Sequence, residues 1–294
     1  MLATLFTDPG CPWGYSANPD LTVLRWRYGQ ALRWKVVLIG LAETGERYVK
    51  AGYTPERMVA GYPGYRRRFG MPFAVEPAEP RERVTGTGRA CRAVVAARLQ
   101  DPELEWAALR ALQFAWFTTN ALLDDDAQIA AALEPVEGLD VPALIASLGG
   151  QAVEDAYQID RAHSRTAAGG ATEYQGKSAN TDGAERFTAP SVVFTTGTGR
   201  TLEAGGFQSL AVYDACIANL DRTLPRRGPA GSALEVVQAF SEGVTTFEVA
   251  AVLAEPLTEP DRAGAQAQLE ALAADGAVRR TPLGDDALWK RLAA

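Results

Sequence analysis

A nine-residue stretch near the start of the chain constrains the fold more than any other. Leu2-Ala3-Thr4-Leu5-Phe6 is a short apolar run, and Thr7-Asp8-Pro9-Gly10-Cys11-Pro12-Trp13-Gly14-Tyr15 follows it directly. A helically spaced segment comes next, so a strand, a tight turn and a helix start meet at one cysteine. A side chain at that position lies among the unpaired N–H groups of the helix N-terminus. The helix dipole there favours negative charge, which predicts a thiolate at Cys11 with a pKa below the free-cysteine value of roughly 8.5. Pro12 suits the first helical turn because its missing N–H would have been unpaired anyway.

The chain then alternates element types. Gly14 to Tyr28 reads as a helix carrying Leu21, Leu24 and Trp26, with Gly29 ending it, and Leu32 to Ile39 reads as a strand. Strand, helix and strand in this order make a right-handed βαβ unit with parallel strands. Leu41 to Arg83 is loop-rich, with Pro55, Pro63, Pro72, Pro77 and Pro80. Arg66-Arg67-Arg68 inside it reads as a solvated charge run, the functional alternative being a clamp for the carboxylates of a thiol cofactor or acidic substrate. From Thr85 the pattern turns helical: Arg89 to Gln100, a helix begun by Asp101-Pro102, then Val141 to Leu148 and Ala152 to Thr166. Asp124-Asp125-Asp126 resembles a metal cluster but reads as the cap of a helix from Ala127 to Leu133. Thr188-Ala189-Pro190-Ser191-Val192-Val193-Phe194 places a proline just ahead of a β-branched strand, and Thr201 to Ala204 is a partner strand beyond a hairpin turn. The Gly-x-Gly of that turn is no dinucleotide site, because a strand follows where a helix is needed. Phe207 to Leu220 is a helix with Cys216 on its core side.

Pro225 to Ser232 reads as a linker. Beyond it come three helical runs, Leu234 to Phe240, Phe247 to Leu253 and Arg262 to Leu272, and a hairpin built from Ala277 to Arg280 and Ala287 to Trp289. Three helices plus a hairpin suggest a small winged-helix-like module. Residues 232–294 hold 5 Lys+Arg and 10 Asp+Glu, an acidic balance that excludes DNA and suits protein contact or homodimerisation.

The whole chain, 294 residues with a formal charge of −7, likewise argues against nucleic acid as a partner. There is no charged-then-apolar signal pattern and no apolar run long enough to cross a membrane, so the expected compartment is the cytoplasm. Three cysteines, Cys11, Cys91 and Cys216, suit a reducing compartment better than a disulfide framework. His163, the single histidine, lies on a polar helical stretch and reads as solvated; no Cys/His spacing makes a metal site.

The Cys11-Pro12-Trp13 turn after the first strand resembles the thioredoxin superfamily, in particular its DsbA-like branch with the FrnE-like and chromene-carboxylate isomerase-like proteins. That resemblance implies an α/β thioredoxin-like fold, residues 1–83 and 166–225, interrupted by a helical insertion, residues 84–165. The acidic helical module, residues 232–294, lies outside the family pattern. The family carries Cys-Pro-Trp-Cys or Cys-Pro-Trp-Ser, and this chain has Gly14 at the fourth position, so a resolving thiol is missing from the motif. By resemblance Pro190 is cis, and the Ala189 backbone is the substrate-docking edge facing Cys11. Family members that use low-molecular-weight thiols have an Asn-Thr-x-x-Ala motif near the site. Thr87 and Ala90 match it, Gly86 stands where Asn would, and Cys91 is then a candidate substitute resolving thiol, or else a small helix-packing residue.

The resemblance implies three functions. The first is a thiol-disulfide oxidoreductase working through Cys11 alone, with Pro12, Trp13 and Gly14 shaping the site. Its partner would be a small thiol such as glutathione or a protein disulfide, with no tightly bound cofactor or metal. The second is a kappa-class glutathione transferase or isomerase type of enzyme, which activates the thiol of glutathione. The third is a non-enzymatic adaptor, like the Clp-protease adaptors with a DsbA-like fold.

Overall fold

The computed structural model describes residues 1–292, so the last two residues of the 232–294 module lie outside the described residues. The first strand, β1, is Leu2–Thr7. The segment expected as one helix is two, α1 Pro12–Ser16 and α2 Asn18–Tyr28, separated at Ala17. Pro19 stands in the first turn of α2, where a proline starts a helix more readily than it continues one. A 3-10 turn, Gly29–Ala31, leads into β2, Arg33–Leu38, which pairs parallel to β1. The loop-rich region contains three short helices, α3 Glu46–Lys50, α4 Pro55–Val59 and α5 Tyr62–Phe69. Two of its prolines, Pro55 and Pro63, act as helix starters, with Thr54 capping α4 through its hydroxyl.

The helical block comprises α6 Gly88–Gln100, α7 Leu104–Thr118, α8 Asp126–Leu133, α9 Val141–Ser147 and α10 Gln151–Ser164. Asp125 caps α8, its carboxylate accepting the Gln128 N–H at 3.0 Å, which accounts for the aspartate triplet. After α11, Ala171–Tyr174, a short hairpin of β3, Ser178–Ala179, and β4, Arg186–Phe187, leads to β5, Ser191–Thr195, and β6, Thr201–Ala204. The main sheet has the order β2-β1-β5-β6, with β5 antiparallel to both neighbours. Helix α12, Leu210–Leu220, closes the unit, and Cys216 on it is only half-buried at the edge of the core.

The C-terminal segment folds as α13 Ala233–Ala239, β7 Val244–Thr245, α14 Thr246–Leu253, α15 Arg262–Ala274, β8 Val278–Leu283 and β9 Asp286–Arg291. The two-residue β7, too short to read in sequence, makes the expected hairpin a three-stranded sheet of order β7-β9-β8. This region is docked against the rest of the chain. Val23 and Trp26 of α2 belong to its hydrophobic core, alongside Val236, Val249, Leu269 and Trp289. The Glu248 carboxylate accepts two bonds from the buried Arg110 guanidinium, at 2.6 and 2.8 Å, one from Thr22, and one from the Thr245 N–H in a capping box. Burial alone would raise the Glu248 pKa, but Arg110 and these hydrogen bonds hold it below the usual carboxylate range. The linker is pinned too: Trp26 donates its indole N–H to the Gly228 carbonyl at 2.8 Å, and Arg227 lies over the Trp26 ring.

Two contacts tie the first turn to the helical block. Tyr15 is fully buried, stacked on Phe117 at 4.6 Å, and donates its hydroxyl to the Pro72 carbonyl. Asn18 bridges the break between α1 and α2 to Gln113 of α7. Burying an aromatic of this size contributes about 1.5–3 kcal/mol, so the motif's last residue anchors the turn that carries the cysteine.

Candidate active site

Cys11 is the N-cap of α1, with Pro12 at the first helical position, so strand, turn and helix meet where the sequence puts them. The Gly14 N–H points at the Cys11 Sγ at 3.5 Å, and the thiol donates to the Ala189 carbonyl at 3.2 Å. The Ala189-Pro190 bond is cis. The Ala189 backbone and the Cys11 thiol therefore face each other beyond the C-terminal end of β1. The electrostatics differ from expectation. Cys11 is 5% exposed, and burial pushes its thiol up to about 12; the Gly14 and Trp13 N–H groups pull the other way, and the Asp8 carboxylate adds to the rise. One turn of helix does not offset removing the thiolate from water.

Asp8 is the residue that sequence reasoning underrated. Its fully buried carboxylate accepts the Gly10 N–H at 2.9 Å, the Leu41 N–H at 2.8 Å, the Thr87 hydroxyl at 2.8 Å and the Cys91 thiol at 3.5 Å. Burial raises its pKa in spite of those donors. An acidic residue three positions before a cysteine was the available signal, but nothing local says that it points inward. Thr87 therefore stands behind the turn, holding Asp8. Cys91 is fully buried with its thiol on the same carboxylate and its pKa driven well up, by burial first and Asp8 second. The three cysteines are free thiols. Gly86 could not carry the asparagine of the resembled motif, since a Cβ there would come within 2.6 Å of the Thr44 backbone.

Gly14 has a comparable reason. A Cβ at that position would lie 2.8 Å from the Thr7 hydroxyl and 3.5 Å from the Cys11 Cβ. The Thr7 side chain thus fills the space in which a second cysteine would begin. Trp13 is 39% exposed and packs edge-on against Tyr65, Phe69 and Phe207, an aromatic flank on one side of the turn. His163 is half-buried rather than fully solvated: its ring meets Phe6 edge-on at 5.3 Å, and burial lowers its pKa. The arginine triplet gives no clamp at Cys11. Arg66 reaches Asp285 and Glu76, while Arg67 and Arg68 are exposed. Among the described residues no cluster of His, Cys, Asp and Glu could hold a metal, and no helix is long and apolar enough to cross a membrane.

A thioredoxin-like sheet, a helical block between its halves and a cysteine capping the first helix opposite a cis-proline define a DsbA-type thioredoxin-fold protein. Residues 4–170 match the DSBA-like thioredoxin domain, and the chain belongs to that family. Among solved structures, it is similar to a protein from Nitrosomonas europaea assigned as a protein disulfide isomerase, with TM-score 0.56 and 17% identity over 76% of this chain and 98% of that one. It is also similar to the cytosolic disulfide reductase DsbM from Pseudomonas aeruginosa, with TM-score 0.52 and 16% identity over 76% and 98%. The same reductase with GSH superposes with TM-score 0.50 and 16% identity over 76% and 99%. No curated protein matches the chain in sequence.

Proposed function

We propose that this chain is a thiol-disulfide oxidoreductase working through Cys11 alone, with a small thiol or a protein disulfide as its partner. The observation that carries the reading is the Cys11 Sγ held between the Gly14 N–H and the Ala189 carbonyl. The N–H stabilises a thiolate once the thiol gives up its proton, and the Ala189 edge is where an extended substrate backbone would lie. The Cys11 thiolate attacks one sulfur of a disulfide, forms a mixed disulfide and expels the other sulfur as a thiolate. With glycine at position 14, no thiol within the motif displaces the bound group. A second small thiol, as thiolate, attacks the mixed disulfide, carries the group away as a new disulfide and restores Cys11. Cys91 supports the alternative resolving role less well, because it is fully buried on Asp8.

Substrate approach must expose or rehydrate Cys11, since burial holds the thiol protonated at neutral pH. That raised pKa is also what favours a second reading, a non-enzymatic adaptor built on the same scaffold. Mass spectrometry of the full chain after exposure to oxidised glutathione separates the two. A single mixed-disulfide adduct at Cys11, lost in Cys11→Ser, supports the oxidoreductase. The absence of any adduct between neutral and mildly alkaline pH moves the assignment to the adaptor.

A further inference from the structure

Four arginines converge on one carboxylate beside the candidate active site. Asp182 receives Arg165, Arg161 Nη2 at 3.4 Å, Arg47 Nη1 at 3.5 Å and Arg186 Nε at 3.8 Å. Apart from Arg165 these are long contacts, and one carboxylate has too few lone pairs for four guanidinium forks. Arg47, Arg161 and Arg165 all meet the same oxygen, Oδ2, and the pairing is incomplete on both sides: the buried Nε atoms of Arg161 and Arg186 have no hydrogen-bond partner, and neither has Asp182 Oδ1. Of the other carboxylates, Glu43 and Glu154 are taken by Arg92 and Asp160 by Arg98, Glu185 accepts the Ser178 hydroxyl, and the buried Asp8 also acts on Arg186. The cluster thus carries net positive charge. Burial lowers the Arg186 pKa, with Asp182 opposing and the repulsion of Arg165 and Arg47 adding to the fall.

The position of the cluster matters as much as its charge. Arg186 lies in β4, three residues before Ala189, whose carbonyl holds the Cys11 thiol. Three residues of extended chain span roughly 10 Å, and the next residue, Phe187, stacks on Phe6 in the same small apolar cluster as Cys11 and Ala189. Arg165 donates to the carbonyl of Ile39, another member of that cluster. Arg47 precedes Tyr48, whose hydroxyl is pushed up by burial first and by the Asp8 carboxylate second. The face is reachable from solvent, the Arg47 side chain being 35% exposed and that of Asp182 19%.

We infer that Arg47, Arg161, Arg165 and Arg186 form an anion subsite next to Cys11, which selects thiol compounds carrying carboxylate groups. The inference rests on the thiol-exchange reading for its choice of ligand. Asp182 keeps the guanidiniums gathered, and a ligand carboxylate takes up the donors it leaves idle. Paired N–H donors on a carboxylate are the strong, directional kind of contact, and they bring the sulfur of a small acidic thiol to the cysteine in a set orientation.

The test uses S-methylglutathione, which has two carboxylates and no free thiol, so its binding reads the subsite without any exchange at Cys11. Calorimetry on the full chain should show binding that weakens as sodium chloride is raised. Arg47→Ala, a partly exposed position whose loss does not threaten folding, should weaken it about tenfold or more, Arg47→Lys should recover part of the loss, and Arg67→Ala should leave it unchanged. No binding, binding indifferent to salt, or equal affinity in Arg47→Ala overturns the subsite. Because this readout is independent of adduct formation, a chain that binds S-methylglutathione but forms no adduct retains the subsite and loses the oxidoreductase reading.

Discussion

Replacing Gly14 with cysteine asks whether the site is a dithiol site held one side chain short. The new Cβ would lie 3.5 Å from the Cys11 Cβ, at the near edge of the range of about 3.5–4.5 Å that a disulfide accepts. It would also lie 2.8 Å from the Thr7 hydroxyl, closer than a carbon and an oxygen tolerate. Thr7 is buried at the end of β1, so the clash is relieved by moving packed atoms. Overpacking of this kind costs about 1–3 kcal/mol, while removing a helical glycine returns about 0.5–1 kcal/mol. Gly14→Cys in its reduced form should therefore be destabilised by about 0–2.5 kcal/mol. Thr7→Ala removes the clash, and the double-mutant cycle in urea should show the two changes coupled favourably by about 1 kcal/mol. After mild oxidation, mass spectrometry should find the loss of two hydrogens, with Cys11 joined to the introduced thiol, most completely in the Thr7→Ala background. Additive stabilities would refute the packing argument for Gly14. No internal disulfide in either background would refute the geometry of the turn.

Three further outcomes follow from the same contacts. Glu248→Gln leaves the buried Arg110 unpaired and should cost about 3–5 kcal/mol in urea unfolding, whereas a loss below about 1 kcal/mol would mean that the C-terminal region is not docked through this pair. Cys11 keeps its proton in the folded state up to about 12, while the unfolded thiol releases it near 9.0. Stability should therefore fall as pH rises between those values, by at most about 1.4 kcal/mol per unit from this group, and Cys11→Ala should flatten the slope by that amount. Asp8→Asn removes a negative charge that opposes the thiolate, so absorbance near 240 nm, a rough measure of thiolate, should rise at lower pH than in the parent chain. The same variant should lose about 2 kcal/mol or more of stability, because the amide cannot accept all the donors that the carboxylate does.

What was legible in the sequence is what short-range chemistry writes there. The apolar run Leu2 to Phe6, the Cys-Pro-Trp turn, the proline before Ser191-Val192-Val193-Phe194 and the helical periodicity from Arg89 to Ser164 each report a local backbone preference; the opening βαβ unit follows from their succession, and the thioredoxin-like arrangement around the helical block from the resemblance that the turn carries. Asp125 as a helix cap was readable because its partner is three residues away. The ionisation of Cys11 was not, because a helix N-terminus is a local feature whereas burial depends on Ala189, 178 residues further on, closing over the sulfur. Asp8 turning inward depends on Leu41, Thr87 and Cys91, and the gathering of Arg47, Arg161, Arg165 and Arg186 on Asp182 joins segments that share no pattern. The C-terminal region was recognisable as helices and a hairpin from its own periodicity, but Glu248 looks like any helix-start acid until Arg110 and Thr22 meet it in the packed chain. Backbone preference acts over a few residues and is carried by the chain itself. Desolvation and charge pairing act through space, so only the tertiary structure decided which ionisable groups would share a buried site.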